Sequence, residues 1–134
     1  MVYLTRKLYF SAAHRLHVEG MSEDENRRVF GECARLHGHN YVLEVTFAGE
    51  PDDRTGMIIH LSDLDAIVRD RVIRELDHRN IDEDVAEFKN AASTVEMLAR
   101  YVWRRLDGAV PGAALHRVRI WEDPESFADC YGDA

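Results

Sequence analysis

The sequence predicts an α+β domain, a four-stranded antiparallel sheet backed by two helices. Three observations carry that expectation. Strand-like runs lie towards both ends of the chain, at 2–10 and 41–47 on one side and at 115–122 and 127–131 on the other. Two stretches of helical periodicity, 62–76 and 93–106, sit one after the other between them. With 134 residues there is material for one core and no separate cofactor domain, so 1–134 reads as a single domain.

The first strand is rich in β-branched and aromatic residues (Val2, Tyr3, Thr5, Tyr9, Phe10) and runs into Ser11-Ala12-Ala13-His14, where small side chains let other groups approach His14. From 16 to 30 no period of two appears. Gly20, Ser22 and the acidic Glu23-Asp24-Glu25 mark a loop with at most one helical turn before Phe30. Loops of that length in a compact domain are often functional, although the acidic run itself reads as a solvated face. Tyr41, Leu43, Val45 and Phe47 then alternate with Val42, Glu44 and Thr46, the pattern of a half-buried strand. Turn residues fill 49–56, and Met57-Ile58-Ile59-His60 reads as a short extended piece.

Ser62 is expected to cap the first helix, with Asp65 as a shortened capping-box acid and Leu64, Ile67, Val68, Val72 and Leu76 on the buried face. That helix should stop near Leu76, which leaves Asp77-His78 either as a dipole-favoured C-terminal cap or as reactive groups. Ser93-Thr94-Val95-Glu96 has the form of a capping box, and Val95, Leu98, Ala99, Val102, Trp103 and Leu106 give the second helix a core stripe. Gly108, Pro111 and Gly112 end it. The alternating run 115–122, turned by Asp123-Pro124-Glu125, returns as a hairpin through 127–131.

Composition removes several function classes. A net charge of −8 argues against a general nucleic-acid or anionic-membrane binder, and any phosphorylated substrate must be met by a local basic cluster. No apolar run approaches the ~18 residues of a membrane span. Met1 leads straight into strand pattern, without the look of a signal peptide. Cys33 and Cys130 are too few for a disulfide scaffold and read as free thiols in a reducing cytoplasm.

The chemistry concentrates in Cys33-Ala34-Arg35-Leu36-His37-Gly38-His39-Asn40-Tyr41. In an extended segment, His37 and His39 project to one face and can chelate a transition metal; imidazole suits Zn²⁺. His14 alone reads as an ordinary imidazole at a strand end, but beside that pair it becomes a candidate third ligand. Three neutral imidazoles would leave a tetrahedral Zn²⁺ one open position, the mark of a catalytic site. Cys33 could serve as ligand or as base, and His17, a possible fourth neighbour of the metal, reads as substrate-side or incidental.

Five segments together resemble the 6-pyruvoyltetrahydropterin synthase family, which includes the 6-carboxytetrahydropterin synthases of queuosine (7-deazaguanine) biosynthesis. They are Phe10-Ser11-Ala12-Ala13-His14-Arg15, Cys33-x-x-x-His37-Gly38-His39-Asn40-Tyr41, Leu76-Asp77-His78, Ser93-Thr94-Val95-Glu96 and Trp121-Glu122. The resemblance runs from Phe10 to about Tyr131. It implies a tunnelling fold (T-fold) assembled as a homohexamer of two stacked trimeric barrels, with sites between subunits. It implies Zn²⁺ on His14, His37 and His39, and 7,8-dihydroneopterin triphosphate as substrate. Cys33 would be the general base, Asp77 with His78 the proton-handling pair, and Glu122 the anchor of the pterin ring with Thr94 nearby. Arg15, Arg27, Arg28 and Arg35 are the candidate phosphate contacts. Because adjacent residues seldom hydrogen-bond each other, Asp77 is expected to act across an interface or through Cys33.

The three-residue gap between Cys33 and His37 resembles the carboxy-forming branch. The first expectation is therefore 6-carboxy-5,6,7,8-tetrahydropterin, with loss of acetaldehyde and triphosphate. The alternative is the pyruvoyl product by triphosphate elimination, suggested by Asn40-Tyr41, Asp24-Glu25-Asn26 and Ser93-Thr94. A non-catalytic zinc- or pterin-binding module is a third reading, for which Cys33 and Asp77-His78 would be superfluous. Three residues depart from the family pattern: Glu32 where a basic residue is common, His60 where Asp or Asn is expected, and Asp123 in place of Thr.

Overall fold

The computed structural model describes residues 1–132. Strand β1 (Val2–His14) and strand β2 (His37–Gly49) pair antiparallel along their whole length, from Val2 opposite Gly49 to His14 opposite His37. Both reach four residues beyond the alternating apolar pattern, at the end that carries the histidines. The inward alternation of Leu8 and Phe10 continues through Ala12 and His14, all buried, so the ladder has no reason to stop at Phe10. Gly38 permits the close approach: a Cβ there would sit 3.3 Å from the Ala12 carbonyl oxygen.

Strand β4 (Ala114–Asp123) lies on the far edge of β2, and β5 (Ser126–Cys130) folds back on it. These are the four expected antiparallel strands. A fifth, β3 (Arg79–Asn80), adds two residues in parallel to Ala12 and Ala13 of β1, giving the order β3-β1-β2-β4-β5. The sheet is therefore mixed at the edge beside His14. Residues 57–60 bend and form no strand.

Helix α1 (Glu23–Phe30) and a 3-10 turn (Gly31–Ala34) occupy ground expected to be mostly loop. The helix has no apolar stripe to reveal it, and its one buried side chain is Asn26. Its ends are favourable instead. Ser22 Oγ accepts from Glu25 N, acids fill the first turn and Arg27 and Arg28 the last, each complementing the helix dipole.

Helix α2 (Leu61–Val68) passes through a π turn (Arg69–Ile73) into α3 (Arg74–Leu76). Leu64, Val68, Val72 and Leu76, four apart and all fully buried, explain the widened turn. Each step of four overshoots an α-turn by about 40°, so three steps would drift about 120° off the core face unless a wider turn absorbs it. The cap is His60, not Ser62: its Nδ1 accepts from Ser62 N at 3.2 Å. An imidazole nitrogen thus does at 60 what the expected Asp or Asn oxygen would do. Asp65, one turn in, takes Arg6 and Arg69 as partners and has no part in a capping box.

A short helix α4 (Ile81–Asp84) leads towards α5 (Val95–Leu106), whose residues Leu98, Ala99, Val102 and Leu106 press on the sheet. Full burial of such a side chain is worth ~1.5–3 kcal/mol, far more than any surface ion pair here, so the stripe decides how α5 lies. Its cap is Thr94, whose hydroxyl accepts from Met97 N at 3.2 Å. The capping box expected from Ser93 does not form, and Ser93 is fully buried and used elsewhere. The sheet face away from the helices is polar, with Arg117 on Glu44, Arg119 on Asp129, and Trp121 Nε1 donating to Glu44 at 2.6 Å.

Candidate active site

Register decides which imidazoles meet. Opposite residues of an antiparallel pair share a face, so His14 and His37 stand side by side, and His39 falls on that face two residues along. Ala12, opposite His39, leaves its ring room to lean inward. The three rings pack with centroids 4.6 to 5.2 Å apart, and one ligand nitrogen from each lies within 4.8 Å of the other two. The expected convergence from two strands is present.

The outward nitrogens are already committed. His14 Nδ1 donates to the Ser93 carbonyl at 2.8 Å, and His37 Nδ1 donates to the Arg35 carbonyl at 2.6 Å. A carbonyl only accepts, so the proton sits on Nδ1 in both rings and the Nε2 lone pairs are left for the cluster. Nε2 of His14 and of His39 are buried without a hydrogen-bond partner. Glu122 Oε1 comes nearest, at 3.7 and 3.5 Å, too far for a bond. Burial lowers the His14 pKa; the Ser93 carbonyl opposes that, while His37 and His39 reinforce it and Asp82 opposes it. Converging imidazole nitrogens, unpartnered at His14 and His39, are what a divalent metal ion requires, and the residues fit one.

Tyr41 continues the row as a wall, stacked on Phe10 at 4.7 Å, its phenol held protonated by burial. His17, the candidate fourth neighbour, lies outside the cluster; it faces the Arg15 carbonyl at 3.4 Å.

Asp77 and His78 do contact each other directly, contrary to expectation: His78 Nδ1 lies 3.0 Å from Asp77 Oδ1. A left-handed backbone at His78 (φ 60°) makes this possible, the one positive φ outside glycine among the described residues. The same turn lets His78 N donate to the Ser11 carbonyl at 2.6 Å and Asp77 Oδ1 accept from Ser11 N at 2.9 Å. A cleft of about 450 Å³ is lined by Ser11, His39, Asn40, His78 and Asn80, so of the three clustered histidines it reaches His39.

The Ser11 N–H, more than the His78 ring, holds the Asp77 carboxyl below the usual carboxylate range. A depressed carboxylate stabilises the fold above its unfolded pKa and ceases to do so as the pH falls through the folded one. Asp77→Asn is therefore expected to melt below wild type near neutrality, with the gap closing as the pH drops below about 4. Thermal melts across that range check it; a gap constant with pH would contradict the assignment.

Other predicted residues are more dispersed. Cys33 is exposed on the 3-10 turn that leads into β2, its carbonyl accepting from Leu16 N at 2.7 Å. Glu122 lies one residue past the Val42–Trp121 pair and faces His14 and His39. Thr94 caps α5. Arg15 reaches Glu23 at 3.6 Å and Arg35 reaches Glu32 at 3.8 Å, so both basic groups meet acids within the chain. Ser93 and Asp82 escaped sequence reasoning: both act through hydrogen bonds from distant segments, and no spacing announces them.

The family model described as 6-pyruvoyl tetrahydropterin synthase matches residues 3–133. The 6-pyruvoyl tetrahydrobiopterin synthase of Homo sapiens is 40% identical over 97% of this chain and 91% of its own length. The structure of Caenorhabditis elegans 6-pyruvoyl tetrahydropterin synthase superposes with a TM-score of 0.91 at 40% identity, over 98% of this chain and 96% of that one. A 6-carboxy-5,6,7,8-tetrahydropterin synthase of Haemophilus influenzae is 28% identical, over 74% of this chain and 84% of its own length.

These identities overturn the expectation of a carboxy product and a queuosine role, and favour the pyruvoyl-forming alternative. That expectation rested on the gap between Cys33 and His37, which the structure shows to be the end of a 3-10 turn plus Arg35 and Leu36. Turn length changes freely without moving a strand, so it is a poor guide to chemistry.

Proposed function

The chain belongs to the 6-pyruvoyl tetrahydropterin synthase family of lyases, and from that premise we propose that it converts 7,8-dihydroneopterin triphosphate to 6-pyruvoyl tetrahydropterin, with elimination of triphosphate. The observation that carries the proposal is the convergence of three imidazoles, with Nε2 of His14 and of His39 unpartnered, in a chain that also sets His78 against Asp77. Mere binding would need no proton-handling pair beside it.

His14, His37 and His39 hold Zn²⁺ in this reading. Bound there, the ion supplies Lewis-acid polarisation of a substrate side-chain oxygen, which acidifies the neighbouring C–H. Cys33 is the general base that takes the proton. His78 returns or relays protons through Nε2, because its Nδ1 is engaged by Asp77, which sets the tautomer. Glu122 pairs with the N–H donors of the 2-amino-4-oxo edge of the pterin. Thr94 uses its acceptor side as helix cap, which leaves its O–H to donate to the ring. Arg15, Arg27, Arg28 and Arg35 receive the triphosphate once substrate displaces Glu23 and Glu32. The ring gains the electrons that the side chain loses, so no external hydride donor is needed.

The proposed working form is a cytoplasmic homohexamer of two trimers. Among the described residues β5 pairs only with β4, and an open strand edge of that kind is removed when a barrel closes. Both cysteines are free thiols. No helix of the described residues is long and apolar enough to cross a membrane.

Incubation of the enzyme with 7,8-dihydroneopterin triphosphate is expected to release triphosphate and the pyruvoyl product without acetaldehyde. Acetaldehyde in step with triphosphate would contradict the assignment.

A further inference from the structure

We propose that Asp82 is a positioning residue for the metal centre, locking His14 in the tautomer that presents Nε2; this rests on the metal-binding role proposed above. Asp82 belongs to α4, four residues beyond His78, and neither of its oxygens touches an imidazole. Oδ1 accepts from Ser93 Oγ at 2.7 Å, and Oδ2 accepts from Arg15 N at 2.8 Å. One carboxylate therefore ties the end of β1, just past His14, to the residue before the cap of α5.

The hydroxyl bond has a chemical consequence. Ser93 offers His14 Nδ1 two oxygens, its carbonyl at 2.8 Å and its Oγ at 3.3 Å. A serine hydroxyl has a single proton, and Asp82 takes it. Oγ can then face the imidazole only as an acceptor, so both oxygens demand a proton on Nδ1. Without Asp82 the hydroxyl is free to turn and donate to Nδ1. That would favour the Nε2–H tautomer, which has no lone pair for a metal. Ser93 and His14 are fully buried, so water does not substitute for either bond.

The backbone bond adds register. β3 pairs with Ala12 and Ala13, Asp77 takes Ser11 N at one end of that strip, and Asp82 takes Arg15 N at the other. Two aspartates thus bracket the segment that carries His78 and fix it alongside the strand that carries His14.

The test uses the intact assembled protein with histidines labelled with ¹⁵N, and Zn²⁺ competed against a chromogenic chelator. Two-bond ¹H–¹⁵N spectra of metal-free wild type are expected to show His14 protonated on Nδ1. Asp82→Ala, which leaves the Ser93 hydroxyl no acceptor at 82, is expected to shift His14 towards the Nε2–H form and to weaken Zn²⁺ binding by ~10–100-fold. Adding Ser93→Ala to Asp82→Ala removes the competing donor and is expected to restore the tautomer and most of the affinity, which a purely structural role would not do. An Asp82→Ala protein with wild-type tautomer and zinc affinity overturns the proposal. So does a wild-type His14 carrying its proton on Nε2, a result that stands even if the variant fails to fold. Wild type that shows the Nδ1–H form but binds no Zn²⁺ instead contradicts the metal reading and leaves the tautomer control intact.

Discussion

Cys33→Ala is expected to keep its metal and lose turnover, by ~10²–10⁴-fold, the usual contribution of a positioned general base. The structure isolates that effect. Cys33 is exposed, and the bond that fixes its turn comes from the backbone, Leu16 N to the Cys33 carbonyl, which alanine preserves. Cys33 is not among the three side chains that converge, so neither fold nor ion is expected to depend on its thiol. Zinc content and kcat measured on one preparation decide the matter. Loss of zinc together with activity would make Cys33 a ligand and the site a closed one.

His39→Ala is expected to lose both the metal and activity, the latter on the order of 10⁴-fold or more, since a Lewis acid supplies several kcal/mol of transition-state stabilisation. His39 is a cleaner probe than His14. Removing His14 empties a fully buried position and strands the Ser93 carbonyl, so instability would cloud the result. His39 Nε2 has no hydrogen bond to lose, and the residue stands opposite Ala12 and is partly exposed, so alanine there is expected to fold normally. Retained zinc and turnover in a folded His39→Ala protein would remove this residue from the centre.

The cluster of three histidines was legible in the sequence because its determinants are local or periodic. His37-x-His39 announces a shared strand face by alternation alone, and His14 follows from the end of the first strand. The helix around 93–106 and both terminal strands were equally plain, since their buried stripes repeat at 3.6 or 2 residues. What stayed hidden depends on other things. Helix α1 carries no apolar stripe, only good end charges around Ser22, Arg27 and Arg28. The π turn at 69–73 answers a drift that becomes visible only when the helix must stay on its sheet. The Asp77–His78 contact needs a left-handed residue, and nothing in a histidine advertises one. Ser93 looked like a cap because the Ser-x-x-Glu spacing is right; Thr94 caps, and Ser93 serves His14 instead. The gap of three residues, a turn length, points to the carboxy product, against the 40% identity to pyruvoyl-forming synthases over nearly the whole chain.

The most direct test is the metal itself. Protein purified without chelator, examined by elemental analysis and X-ray absorption, is expected to hold one zinc per chain bound by the imidazoles of His14, His37 and His39, with a fourth position that exchanges with solvent. No stoichiometric ion, or an ion enclosed by four side chains, would contradict the account.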